Sequence, residues 1–294
     1  MGFVSRLSVT PVKGTALHHP RTLALAANGV VGNRRFYLVD GRRHLFNGKH
    51  HGPLVAVRAD YDERHQHLVI RLPDGTTAEG PTTVLGAAVR TDFYGRPVSG
   101  HLVEGPWSAA LGAAVGEPLS LVAVDRPGDA LDVHPLTLVS SASIDHLCTV
   151  TPGGEALDHR RFRMLIEVGG CGVGEEDTWV GRQVRVGRAV ARVVGPVPRC
   201  VVTNQNPDTG TIDFNTLKAI VRGRKELAAD RAASVDRPPD GDGKPDGNGK
   251  PDGNGKVVFG VYATVDEPGE VSLGDRIELA AHDERAAPDP AGLR

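Results

Sequence analysis

The stretch from Val194 to Gly210, VGPVPRCVVTNQNPDTG, places one cysteine, Cys200, behind two prolines and an arginine and ahead of a short β-branched run and a polar turn. Pro196 and Pro198 have no amide proton to give a strand ladder, and each restricts the residue before it, so the chain is expected to reach Cys200 along an extended path. Arg199 sets a permanent positive charge beside the sulfur. A neighbouring cation favours the thiolate, the form that attacks electrophiles or binds a soft metal. Read alone, the same cysteine also fits a small buried hydrophobe.

Working outward, Phe3 to about Ala123 shows short alternating runs broken by Gly, Pro, Asp and Asn: VSRLSV, RTLALAA, RFYLVD, LVAVRADY and HLVIRL. Pro73-Asp74-Gly75 predicts a hairpin turn, and strands at this spacing predict a barrel or sandwich. A helix is expected over Trp107–Val115. Beyond Asp125 the pattern mixes strands and helices: a buried strand from His134 to Val139, and a helix over Ala142–Val150 capped by Ser140-Ser141. Further on come a strand over Arg161–Val168, a hairpin over Gln183–Val194 and an amphipathic helix over Phe214–Leu227. FGVYATV and GEVSLGDRIEL read as the last strand and hairpin. The class is mainly β, or α+β, in two parts: residues 1–124, β-rich, and residues 125–282.

Three tandem hexads, PDGDGK, PDGNGK and PDGNGK, interrupt the second part; their composition predicts a flexible insertion over residues 236–256. Their aspartates lack an EF-hand's ligand spacing and closing glutamate. Residues 283–294 are expected to be a disordered tail.

With 294 residues and a formal charge of −2, the chain can bury a large core and lacks the basic excess of a nucleic-acid binder. Cys148, Cys171 and Cys200 form no C-x-x-C pair, no zinc spacing and no iron-sulfur pattern, which points to a reducing compartment. The twelve histidines include the doublets His18-His19 and His50-His51, which read as loop or surface residues. No basic leader precedes an apolar core and no apolar run is long enough to span a bilayer, so the expectation is a cytoplasmic protein without a membrane partner.

Six separated motifs share an order: TPVKG around Lys13, GNRRFYLV around Arg35, DVHP at Asp132–Pro135, RFR ending at Arg163, the Arg199-Cys200 stretch, and FGVYATV followed by PGEVSLGD. In that order they resemble the MOSC-domain proteins, a molybdenum-cofactor group that includes the amidoxime-reducing components. The resemblance implies an N-terminal β-rich domain packed on a C-terminal MOSC β-barrel with a few helices, and the molybdenum cofactor between them. It also implies that Cys200 is the sulfur ligand to molybdenum, and that Lys13, Arg35 and Arg163, with Arg199 beside the cysteine, hold the cofactor. Asp132 and His134 would line the substrate side or relay protons. Two departures stand out: Pro198 where amidoxime reducers often carry serine, and Gly14 where the early motif often carries a hydroxyl.

On residue context alone, Lys13 reads as a solvated strand-end lysine, Arg35 and Arg163 as stem-packed surface arginines, and Asp208 as a turn residue without chemistry. The activity implied by the resemblance is reduction of N-hydroxylated small molecules. Electrons would come from a separate flavoprotein reductase or small carrier, since no iron-sulfur cluster is encoded. Two other readings stand beside it: a sulfur carrier holding a Cys200 persulfide without metal, and a binding module whose cysteine is merely packed.

Overall fold

The computed structural model describes residues 2–152, 157–234 and 256–280. The flexible insertion expected over 236–256, apart from Lys256, and the tail expected over 283–294 lie outside the described residues.

Seven strands close into a barrel in the order Gly2–Leu7, Ile166–Gly169, Leu136–Ser140, Val258–Glu267, Ala189–Pro198, Gln183–Val186 and Arg276–Leu279. Its interior is filled by side chains that alternate inward, among them Val4, Leu138, Val184, Ala191, Val261 and Ile277; this is the period-2 burial of a strand with one face on a core. A five-stranded sheet, ordered Leu45–Phe46, Phe36–Asp40, Leu119–Val124, Arg96–Val103 and Leu85–Phe93, builds the other half. Two three-stranded sheets flank these bodies.

Three α-helices lie among the described residues: α1 (Trp107–Val115), α2 (Ser141–Val150) and α3 (Thr216–Ser234). Trp107 and Leu111, one turn apart on α1, are fully buried, and the Trp107 indole N–H donates to the Leu68 carbonyl at 3.1 Å. No described helix is long and apolar enough to cross a membrane.

The barrel takes strands from both sides of residue 124. Gly2–Leu7 belongs to it, pairing with Ile166–Gly169 on one side and Arg276–Leu279 on the other. Thr22–Ala26 likewise pairs with Gly269–Ser272. Ring closure needs a strand between two edges that local sequence cannot identify.

Four local expectations also change. Leu54–Ala56 fall in a 3-10 turn, Gly52–Ala56, opened by Pro53, rather than in a strand, because proline presets the φ of a first helical turn. Arg161–Val168 is not one strand: a 3-10 turn, His159–Phe162, ends at Arg163 in the left-handed region (φ +50°), and pairing starts only at Ile166. Gly269–Ser272 and Arg276–Leu279 form no hairpin, since each pairs with strands of a different sheet. Ser140 starts α2 without a side-chain cap, and Ser141 donates instead to the Val168 carbonyl at 3.2 Å.

One buried acid gives the fold a pH dependence. Glu176 is 1% exposed and accepts from Ser143 Oγ at 2.9 Å; burial, then the charge of Asp177, pushes its carboxyl up to about 7. The native state therefore holds a proton that the unfolded chain releases near the ordinary carboxylate range. Its contribution to stability is complete below that range and is lost as pH rises toward 7, an effect of about 3 kcal/mol. Glu176→Gln should flatten urea-unfolding stability between pH 5 and 8 and exceed wild type above pH 7. A variant that kept the wild-type slope would remove Glu176 as its source.

Candidate functional site

A cleft of about 730 Å³ lies between the five-stranded sheet and the barrel, with Lys13, Arg34, Asp132, Arg163, Arg199 and Cys200 among its lining residues. Local backbone geometry brings the first two together. The Lys13 N–H donates to the Phe36 carbonyl at 2.8 Å and the Arg34 N–H to the Thr10 carbonyl at 2.7 Å, so the Thr10–Gly14 segment runs beside Arg34–Phe36. The Thr10 and Thr15 hydroxyls lie 2.7 Å from each other and 3.1 and 2.8 Å from the Val12 carbonyl, a shared hydrogen-bond cluster that ties that segment together.

Asp132 joins the pair. Lys13 Nζ lies 2.7 Å from Asp132 Oδ1 and 2.9 Å from the Ala130 carbonyl, while Arg34 Nη1 lies 2.9 Å from Asp132 Oδ2. Lys13 is a 7% exposed ammonium. Burial pushes it down to about 8 and Asp132 partly offsets this, leaving it mostly protonated at neutral pH. Burial would raise the Asp132 carboxyl, but Lys13 and Arg34 outweigh it and hold that group well below the usual carboxylate range. Asp132 is thus a permanent counter-ion.

Arg163 reaches the same cleft because its left-handed backbone ends the 3-10 turn abruptly. Its Nη2 donates to the Thr15 carbonyl at 2.7 Å; burial, then repulsion from Arg34, lowers it to about 10. The Arg199 guanidinium donates to the Phe162 carbonyl and lies 3.3 Å from Met164 Sδ. Burial lowers its pKa, with the neighbouring Cys200 opposing. Lys13 and Arg34 thus share the Asp132 carboxylate while Arg163 and Arg199 line the same cleft on backbone carbonyls, so cations outnumber acids there in a protein whose overall charge is slightly negative, the electrostatics of an anion site.

Cys200 itself is exposed. The strand Ala189–Pro198 delivers it: the prolines fall at a bulged end of the pairing, and the Arg199 N–H resumes it on the Val257 carbonyl at 2.7 Å. A 3-10 turn, Val201–Asn204, follows. The Thr203 hydroxyl donates to the Cys200 carbonyl at 2.9 Å, Thr216 Oγ1 to the Thr203 carbonyl at 2.7 Å, and Arg161 Nη1 to the Asn204 carbonyl at 3.2 Å. These bonds fix the backbone and leave the sulfur open. Cys148 and Cys171 are half-buried, in α2 and beside the Gly169-Gly170 turn respectively.

His134 sits against Tyr262, ring centroids 5.2 Å apart, and burial lowers its pKa, so it is a neutral imidazole at neutral pH. Arg35 is the expected residue that the structure places elsewhere. Its guanidinium donates to the Val124 carbonyl on the neighbouring strand, and Arg34 occupies the cleft instead. The reason is local: Arg34 is left-handed (φ +49°), which interrupts strand alternation two residues before Phe36. The double arginine in GNRRFY signals the position but leaves the choice between its members open. Tyr262, within FGVYATV, and Gln205, within the Val194–Gly210 stretch, also line the cleft, although the motifs assign neither a role. Asp208, expected to be a turn residue, makes a two-pronged ion pair with Arg160 at 2.7 and 2.8 Å.

Among the described residues, no group of three or more His, Cys, Asp or Glu is placed to hold a metal ion. A sulfur, a cation cluster and unsatisfied polar atoms are present instead. Arg161 Nε, Arg199 Nε and Gln205 Oε1 are buried atoms of cleft-lining residues without a protein partner.

Comparison with known proteins finds two family matches: the MOSC N-terminal beta barrel domain over residues 1–101 and the MOSC domain over residues 125–278. Mitochondrial amidoxime reducing component 2 of Bos taurus is 25% identical over 312 residues, covering 94% of this chain and 83% of that protein. Its Homo sapiens counterpart is 36% identical over 92 residues, 30% of this chain and 26% of that protein. Among solved structures, the YUAD protein from Bacillus subtilis aligns over 96% of this chain and 97% of its own at 10% identity with a TM-score of 0.40.

Proposed function

Because this chain belongs to the MOSC-domain family, with both the N-terminal barrel domain and the MOSC domain matched, we propose that it is a molybdenum-cofactor reductase of N-hydroxylated small molecules. The observation that carries the reading is the open sulfur of Cys200 in a cleft whose lining includes Lys13, Arg34, Arg163 and Arg199 around Asp132. The residues fit such a group. A pterin cofactor ends in a phosphate, which takes Lys and Arg donors, and molybdenum accepts a soft thiolate. The cleft volume falls within the roughly 300–1,000 Å³ usual for small-molecule and cofactor sites.

When bound, the cofactor would supply two-electron oxygen-atom transfer from the N–O bond. Cys200 would be its sulfur ligand. Lys13, Arg34, Arg163 and Arg199 would hold the phosphate, and Arg35 would serve the fold. Asp132, permanently ionised, orients Lys13 and Arg34 rather than moving protons. His134, neutral and beside Tyr262, is the group left to give or take a proton on the substrate side. Electrons would come from a separate flavoprotein reductase or small carrier.

The test is elemental and pterin analysis of freshly purified protein, with turnover of benzamidoxime under a chemical reductant. Stoichiometric molybdenum with amidine formation supports the reading. Cyanide-labile sulfur without molybdenum would replace it with a sulfur carrier on the same cysteine.

The two adjacent arginines should separate cleanly. Arg34→Ala is expected to weaken binding of inorganic pyrophosphate, measured by calorimetry, about tenfold, the value of one charge-assisted contact. Arg35→Ala should leave that affinity within about twofold and instead lower the thermal midpoint, because it removes the donor to the Val124 carbonyl. The reverse pattern would return the anion to Arg35.

A further inference from the structure

The hairpin between Leu85–Phe93 and Arg96–Val103 turns in two residues, Tyr94 and Gly95, with Arg96 paired to Phe93. Both have positive φ, +58° and +94°, the combination of a type I′ turn. Glycine suits its place, and asparagine or aspartate would suit the other. A bulky aromatic residue in the left-handed region is strained, and such strain persists where the surroundings over-determine it.

The surroundings here do so. Asn47, itself buried, donates from Nδ2 to the Tyr94 hydroxyl at 2.9 Å, and its Oδ1 accepts the Lys49 N–H at 2.9 Å. The Lys49 ammonium lies 4.2 Å from the Tyr94 ring centroid. Tyr94 is still 58% exposed and lines the cleft that holds Cys200. Its position is therefore maintained by contacts from outside the hairpin, and the turn itself gains nothing from an aromatic side chain. A pre-positioned tyrosine presents flat apolar area at little further entropic cost.

We infer that Tyr94, braced by Asn47 and Lys49, is a stacking platform that selects substrates carrying a flat aryl or heteroaryl group. The inference rests on the reading of the cleft as the site of N–O reduction.

The experiment compares wild type, Tyr94→Asn and Tyr94→Phe as loaded protein, with benzamidoxime and acetamidoxime as paired probes. Tyr94→Asn should raise KM for benzamidoxime about tenfold at unchanged kcat and leave KM for acetamidoxime within about twofold. Tyr94→Phe, which keeps the ring but loses the Asn47 hydrogen bond, should raise KM for benzamidoxime by less than Tyr94→Asn does and leave acetamidoxime unchanged. Since asparagine favours this turn, Tyr94→Asn should melt no lower than wild type. Equal changes for both probes, or none, would overturn the platform. Should wild type carry molybdenum and reduce neither probe, the proposed activity fails while the platform is still read by ligand-observed NMR: benzamidoxime binding retained in Tyr94→Asn would sink it, and binding lost only there would sustain it.

Discussion

Cys200→Ser is expected to abolish benzamidoxime reduction, lowering kcat/KM by roughly three orders of magnitude or more, the scale seen when an indispensable reacting group is removed. Serine offers a hard, neutral oxygen where a soft anionic sulfur would complete the metal's ligand set. The fold should be untouched, because the turn after Cys200 is held through its backbone carbonyl, which Thr203 binds from both its N–H and its hydroxyl at 3.1 and 2.9 Å. Pyrophosphate affinity should therefore stay at the wild-type value, since Lys13, Arg34, Arg163 and Arg199 keep their partners. Cys148→Ser and Cys171→Ser should retain activity. Molybdenum content and turnover at wild-type levels in Cys200→Ser would remove the cysteine from the site. Loss of cyanide-labile sulfur in a metal-free protein would move it to sulfur transfer.

Gly210→Ala should be the most destabilising small substitution in the chain's polar turn, by about 4 kcal/mol, from steric overpacking added to left-handed strain. Gly210 has φ +75°, and a Cβ there would sit 2.1 Å from the backbone carbon and oxygen of Gly52. Gly52 meets Gly210 reciprocally, its own Cβ falling 2.2 Å from the Gly210 carbonyl oxygen. The turn after Cys200 thus lies backbone to backbone on the turn that opens at Pro53. Gln205 Nε2 reinforces the contact by donating to the Gly48 carbonyl at 2.6 Å. Gly75 supplies the control: its φ is +90°, but an added Cβ meets nothing within 4 Å. Gly75→Ala should therefore cost only about 1 kcal/mol, the strain alone. Urea unfolding of the two variants isolates the contact, and equal losses would show that the crossing contributes nothing. Weakened pyrophosphate binding in Gly210→Ala but not Gly75→Ala would show that the crossing also sets the cleft.

Elements with one strong local signal were legible before any coordinates. Trp107–Val115 is helical over the expected range, ended by Gly116 at φ +81°, and His67–Arg71 and Thr77–Pro81 pair across the Pro73-Asp74-Gly75 turn. Where local signals compete, composition misleads. Arg161–Val168 looks like a strand by composition, yet Asp158 accepts the Arg160 N–H at 2.8 Å and starts a 3-10 turn that takes the first residues of the run. The same limit explains the arginine pair: Arg34 and Arg35 differ in sequence only by position, and a positive φ at the first decides which faces the cleft.

The order of six short motifs determined which family this chain belongs to and pointed to Cys200, Lys13, Arg163 and Arg199, which line one cleft, because residue type and spacing along the chain carry that information directly. Tertiary structure alone decided that Gly2–Leu7 closes the barrel, that Arg34 joins Lys13 on Asp132, and that Tyr94 stands braced at the cleft. Each of these depends on contacts between segments many residues apart, whose partners are chosen by packing and hydrogen-bond satisfaction across the whole molecule rather than by the preferences of neighbours in sequence.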